Sequence, residues 1–174
     1  MVIEPLVKLG ALALVAAGVA AVVQVGFWLA MTALARSRDL PVPDEVWDRL
    51  PGLIGRGVLL VAGAALLGYS LTMLFRSTVA TLGIVFAVAV AGTLVIAALP
   101  LGGDNERWMV QTNLLAFVQN GTDYYNSQTQ VTCNGPECTG MSRLSLAGAA
   151  VYLGTLLAAS MALGLATFRR RDVP

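Results

Sequence analysis

Apolar positions in this chain come in long blocks rather than alternating with polar ones. The clearest block, residues 79–100 (VATLGIVFAVAVAGTLVIAALP), carries no charge over 22 positions and closes on a proline. At about 1.5 Å rise per residue, roughly 20 apolar residues cross a hydrocarbon core of about 30 Å, so this block is expected to be a transmembrane helix. Three further blocks read the same way: residues 9–34, whose only clearly polar interior residue is Gln24; residues 57–75; and residues 144–168, interrupted by Tyr152, Thr155, Ser160 and Thr167. Only Arg76, Ser77 and Thr78 separate the second block from the third, which makes that pair an antiparallel hairpin. Four crossings place both termini on one side. The expected fold is an all-α membrane protein, one domain over 1–174, with four transmembrane helices and a cap at 101–143.

The stretches between the blocks are short or polar. Residues 35–56 hold Pro41, Pro43 and Pro51. Asp44 and Glu45 after Pro43 can start a short helix with Val46, Trp47 and Leu50 on one side. Trp47 suits an interfacial anchor, and a surface turn with one buried aromatic fits equally well. In the second block Gly57, Gly63 and Gly68 recur, with Ala64 four positions before Gly68, and small residues at that spacing let helices approach closely in lipid. In the cap, residues 105–119 (NERWMVQTNLLAFVQ) have helical spacing, with Trp108, Leu115 and Val118 on an apolar face and Leu114 and Phe117 beside it. The segment is too short and too polar to cross, so it is expected to be an interfacial or re-entrant helix. Tyr124 and Tyr125 would extend its aromatic girdle. Residues 126–140 are rich in Asn, Ser, Thr, Gln and Gly and read as loop.

Composition supports the membrane assignment. The chain is 57% hydrophobic and 12% charged, against about 25% charged in soluble domains. Net charge is +1, with no basic run beyond Arg169, Arg170 and Arg171, so nucleic acid has no electrostatic footprint here. Histidine is absent, which excludes imidazole-based metal and proton chemistry and any Ser-His-Asp or Cys-His constellation. A phosphate-binding loop of the G-x-x-x-x-G-K-[ST] type is also missing, so the chain does not bind ATP by that device. No Asp, Glu, Lys or Arg falls inside any of the four blocks, and those are the residues that proton relays and ion pathways use. No catalytic residue, cofactor or metal ligand is expected, and the chain is not read as an enzyme.

The first block resembles a signal peptide in position only. It exceeds an h-region of about 7–15 residues and runs on into charged sequence, although the stretch Ala33-Leu34-Ala35 leaves cleavage open. Sidedness rests on the cations near helix ends. Lys8, Arg76, Arg169, Arg170 and Arg171 lie on the side of the termini; Arg36, Arg38, Arg49, Arg56, Arg107 and Arg143 lie on the other. The counts nearly balance. The dense cluster Arg169–Arg171 and Arg76 serve as topology anchors for a cytoplasmic placement of both termini. Cys133 and Cys138, five apart across Gly135-Pro136, could close a disulfide on the far side, where such bonds persist, or stay reduced. The triplet Asn120-Gly121-Thr122 fits a glycosylation sequon but reads better as a turn.

The order of these pieces resembles the C-terminal part of the ABC type-2 permeases, the membrane subunits of ATP-binding-cassette transporters. The resemblance rests on the hairpin joined by Leu74-Phe75-Arg76-Ser77-Thr78, the apolar helix ending Leu99-Pro100, the aromatic-bearing outer segment, and the ending Phe168-Arg169-Arg170-Arg171-Asp172-Val173. It implies a plasma-membrane exporter subunit that pairs with a second permease subunit and docks on a cytoplasmic ATP-binding subunit, which supplies the energy. The four blocks would match the third to sixth of six crossings, with the family's coupling helix ahead of Met1. The segment 105–125 would be the outer gate, carrying Trp108, Leu114, Phe117, Tyr124 and Tyr125. A polar path would involve Gln24, Tyr152, Thr155 and Ser160; the plainer alternative is that these groups bond within or between helices. A different class also fits, a four-helix membrane scaffold or assembly protein that binds a partner through its outer loop.

Overall fold

A computed structural model describes residues 3–128 and 140–171. Its elements are α1 (Ile3–Ser37), α2 (Asp44–Phe75), α3 (Thr78–Ala98), a 3-10 turn (Asn105–Trp108), α4 (Val110–Gln119), β1 (Thr122–Tyr125), β2 (Met141–Leu144) and α5 (Leu146–Arg171). Four of the helices are long and apolar enough to cross a membrane, over Val7–Ser37, Asp44–Phe75, Thr78–Ala98 and Leu146–Thr167. The chain divides within α2 into two units, Met1–Ser70 and Leu71–Pro174.

In the first unit α1 buries Leu9 and Ala20 and keeps Ala16, Gln24, Trp28 and Thr32 half-covered. Ala16, Ala20, Gln24, Trp28 and Thr32 recur every four residues and form a continuous stripe along the helix, while Val15, Val19, Val22 and Val23 stay exposed. The Gln24 amide lies against Gly57 of α2, where a Cβ would sit 2.7 Å from Nε2 and 2.9 Å from Cδ. Helix α2 starts well before residue 57 and absorbs the expected short helix, running through Pro51. Proline removes one backbone donor and leaves the carbonyl four residues back unpaired. That carbonyl belongs to the exposed Trp47, in the charged first turns where water can satisfy it. Arg56 Nε donates to the Gly52 carbonyl at 2.9 Å, drawing the guanidinium back from the apolar run that follows it.

In the second unit the link to α3 is shorter than expected. Arg76 takes a left-handed φ of 52° and its N–H donates to Thr72 O at 2.8 Å. Ser77 then caps α3, its hydroxyl accepting from the Ala80 N–H at 3.3 Å. A left-handed residue ending one helix and a serine starting the next make a two-residue link between α2 and α3. Helix α3 stops at Ala98, two residues short of the expected end, because the residue before Pro100 is pushed out of the helical region; Leu99 is extended at φ −72°, ψ 138°.

The cap differs most from expectation. The anticipated continuous helix over 105–119 breaks at Met109, which is extended at φ −71°, ψ 137°. The anticipated loop is flanked by an antiparallel hairpin that pairs Thr122 with Leu144, Asp123 with Arg143, Tyr124 with Ser142 and Tyr125 with Met141. Leu144 consequently belongs to β2, and the last helix begins at Leu146 rather than 144. One face of the hairpin, Tyr124 and Leu144, closes over Ala116 of α4 and Ala149 of α5, with Phe117 packed alongside. The other face exposes Asp123, Tyr125, Met141 and Arg143.

Candidate functional site

The cap is where polar chemistry gathers, and it is built around the ends of α3 and α5. The last carbonyls of any helix lack intrahelical donors. At the end of α3, the Asn105 amide supplies them, donating to Ile96 O at 2.8 Å, Ala97 O at 3.1 Å and Leu99 O at 2.8 Å. Deeper along α3, Gln111 Nε2 donates to Thr93 Oγ1 at 3.1 Å. On the other flank the Tyr152 hydroxyl of α5 donates to Trp108 O at 2.9 Å. Between these ties lies Asn113, 1% exposed, whose amide donates to Arg107 O at 2.8 Å and Met109 O at 2.9 Å. Met109 O also accepts the Asn113 N–H at 3.2 Å as the first bond of α4, so the buried amide supplies a donor to Arg107 O and a second one to Met109 O, bracing the break on both sides. Segment 105–113 is thus a strap fastened to both helices.

Two carboxylates fasten the hairpin to the strap. Glu106 Oε2 accepts the Tyr125 N–H at 2.8 Å. Asp104 Oδ1 accepts from Asn126 Nδ2 at 3.2 Å, and Asp104 Oδ2 lies 3.7 Å from Arg107 Nη1. The Arg107 guanidinium sits 5.8 Å over the Trp108 ring, a weak cation–π contact at this exposure. The Tyr124 hydroxyl also donates to Asp104. Burial, reinforced by the Asp104 carboxylate, raises its pKa above the ordinary 10.0. The neutral phenol is therefore favoured in the folded cap, so this stability is fully present below about pH 10 and is lost as pH rises through the folded value. The expected outcome is a cap that loosens in alkali, with Tyr124→Phe flattening that pH dependence; absorbance of tyrosinate, measured with and without the substitution, reads both.

The anticipated site residues are only partly brought together. Trp108, Leu114 and Tyr125 remain exposed, Phe117 is half-buried, and Tyr124 is in the core rather than on a girdle. The covered side of α4 is Asn113 and Ala116, not the anticipated face with Leu115. Of the anticipated path, Tyr152 is committed to the strap. Thr155 donates to Tyr152 O at 2.8 Å and Ser160 to Leu157 O at 2.8 Å, so both hydroxyls are taken up by their own helix. Gln24 lies in the first unit. Arg76 forms the turn described above, and Arg169, Arg170 and Arg171 close α5. Cys133 and Cys138 lie outside the described residues. Among the described residues no group of three His, Cys, Asp or Glu side chains could hold a metal.

Sequence reasoning passed over Gly103, Asp104, Asn105 and Asn113. Only Gly102-Gly103 after Pro100 signalled a turn; the two asparagines read as ordinary polar positions on a helix surface. No protein-family model, curated protein or solved structure matches the chain.

Proposed function

We propose that the protein is a membrane subunit of an ATP-binding-cassette exporter, working as a pair in the cytoplasmic membrane and driven by a separate ATP-binding subunit on the side of the termini. The observation that carries this reading is the openness of the spans. In each of the four, only 6% of the most apolar window is buried within the chain. Such surfaces need lipid and further helices around them, as expected of a subunit rather than a self-contained bundle. The order of pieces that resembles ABC type-2 permeases supplies the rest. In this reading the strap closes the outer ends of α3 and α5 and travels with them, and a path for substrate forms only between subunits, since the hydroxyls of α5 are already bonded.

The test is to express the tagged chain in a bacterial membrane, extract it in mild detergent and identify what co-purifies. The expected result is an ATPase carrying a phosphate-binding loop, retained in stoichiometric amount and released when the cytoplasmic ends are blocked. A stable, inserted chain that retains no ATPase overturns the transport reading. The exposed face of the hairpin, where Tyr125 and Met141 lie beside Asp123 and Arg143, favours the second reading in that case: a scaffold whose cap binds a partner.

A further inference from the structure

Among the described residues, the hydrogen bonds of the hairpin distinguish a covered edge from an open one. Asn126 N–H donates to Gly140 O at 2.8 Å, which continues the register of β1 and β2 by one pair. Hydrogen-bonded and non-hydrogen-bonded pairs alternate along an antiparallel ladder. Tyr124 with Ser142 and Thr122 with Leu144 are then the bonded pairs, and the backbone groups of Asp123, Tyr125, Met141 and Arg143 point away from the hairpin. The Tyr125 N–H meets Glu106, as this parity requires, so the strap covers the β1 edge. Along β2 the outward N–H and C=O groups of Met141 and Arg143 meet no partner among the described residues.

From this we infer that two copies of the chain join edge to edge through β2, forming a four-stranded sheet across the pair. The edge is complementary to itself. A two-fold axis beside Ser142 sets Met141 opposite Arg143 of the other copy, with donors facing acceptors in about four backbone bonds. It puts Ser142 opposite Ser142 in a non-hydrogen-bonded pair, where Cα atoms approach to about 4.5 Å and a small side chain fits. No like charges stand directly opposite, which would oppose pairing. On the outward face each Arg143 keeps its Asp123 neighbour. An open strand edge is a template for such pairing, and its use by a second copy gives the exporter reading a contact outside the membrane. The inference rests on that reading for the presence of two copies, not for the geometry.

Three variants of the full chain test it in native-like membranes. Ser142→Cys places two thiols within the Cα range of about 4.4–6.8 Å that a disulfide spans, so mild oxidation is expected to give a reducible band at twice the chain mass. The parent chain, which keeps Cys133 and Cys138, sets the background, and Asp123→Cys on the covered strand is expected to stay at that background. Arg143→Pro removes an outward N–H without touching the bonds between β1 and β2, and in the Ser142→Cys chain it is expected to lower the cross-linked fraction about tenfold. The mass of the detergent-extracted particle, measured in parallel, separates the two readings. A dimer mass with no Ser142→Cys band overturns β2 pairing and leaves the second copy standing; a monomer mass overturns both the pairing and the pair.

Discussion

Gly103→Val is expected to unseat the hairpin while leaving the membrane helices formed. Gly103 takes φ +84°, a region that costs an L-residue about 1–2 kcal/mol and a β-branched one more. Space is closed as well. A Cβ there would lie 3.1 Å from Ser127 Cβ and 3.3 Å from the Gln128 backbone nitrogen, and backbone cannot swing aside as a side chain can. The same residue's carbonyl accepts the Ser127 N–H at 3.1 Å, so relieving the clash breaks the tie between strap and hairpin. Strain, overlap and the lost bond together amount to about 3–5 kcal/mol, a large share of what holds a marginal hairpin. Limited proteolysis is the direct readout. Cleavage in 122–144 should accelerate at least tenfold while far-UV helicity holds. Unchanged cleavage would mean that the Pro100–Asp104 turn adapts freely and that the hairpin is held from α4 alone.

What was legible in the sequence divides along the same line as what lipid demands. A bilayer satisfies no backbone polar group, so a spanning segment must be a helix and must be apolar over its whole length. That constraint writes itself into composition, and the four blocks became α1, the later part of α2, α3 and α5, with ends shifted where local chemistry intervened. Pro51 did not end α2 because the carbonyl it orphaned sits at the wet end of the helix. Pro100 did end α3, through its effect on Leu99.

The cap obeys no such constraint, and there the period misled. Residues 105–119 show helical spacing, but spacing cannot reveal that a buried amide will reach back to Arg107 O and Met109 O and brace a break at Met109. TDYY and MSRL are four residues each and lie fifteen apart, so neither announced a partner. Polar residues were expected outside and aromatic ones at the rim. Instead Asn113 and Tyr124 went in, and Trp108 and Leu115 stayed out. Burial of Asn113 follows from its partners: a polar group enters a core when every bond it needs is waiting there. The span hydroxyls teach the converse. Thr155 and Ser160 looked like a polar stripe, and each hydroxyl donates to a carbonyl one turn back on its own helix.

The sharpest test of the strap is therefore Asn113→Asp, a change of charge with almost no change of shape. The native amide gives its two hydrogens to Arg107 O and Met109 O. A carboxylate in the same place offers only acceptors to acceptors, in a site with 1% of its surface exposed. Removing one partner of a buried polar cluster and leaving a charge costs about 3–5 kcal/mol, so at neutral pH the strap should detach, exposing Trp108 O and freeing Tyr152. The variant then makes a second prediction that a merely misfolded protein does not. Burial and facing carbonyls raise the pKa of the introduced carboxyl well above the usual range of about 3.9. A raised pKa means that the protonated, folded form is favoured below it and that stability falls as pH rises through it. The protonated acid regains one donor, enough for one of the two carbonyls. Asn113→Asp should accordingly be resistant to protease near pH 4–5 and lose that resistance by pH 7, while the parent chain stays flat over the same range. Asn113→Ala, which loses both donors at every pH, should be cleaved throughout. An Asn113→Asp chain as stable at pH 7 as the parent would show that water or lipid headgroups reach Arg107 O and Met109 O, and that the strap is held by Asn105 and Tyr152 without its centre.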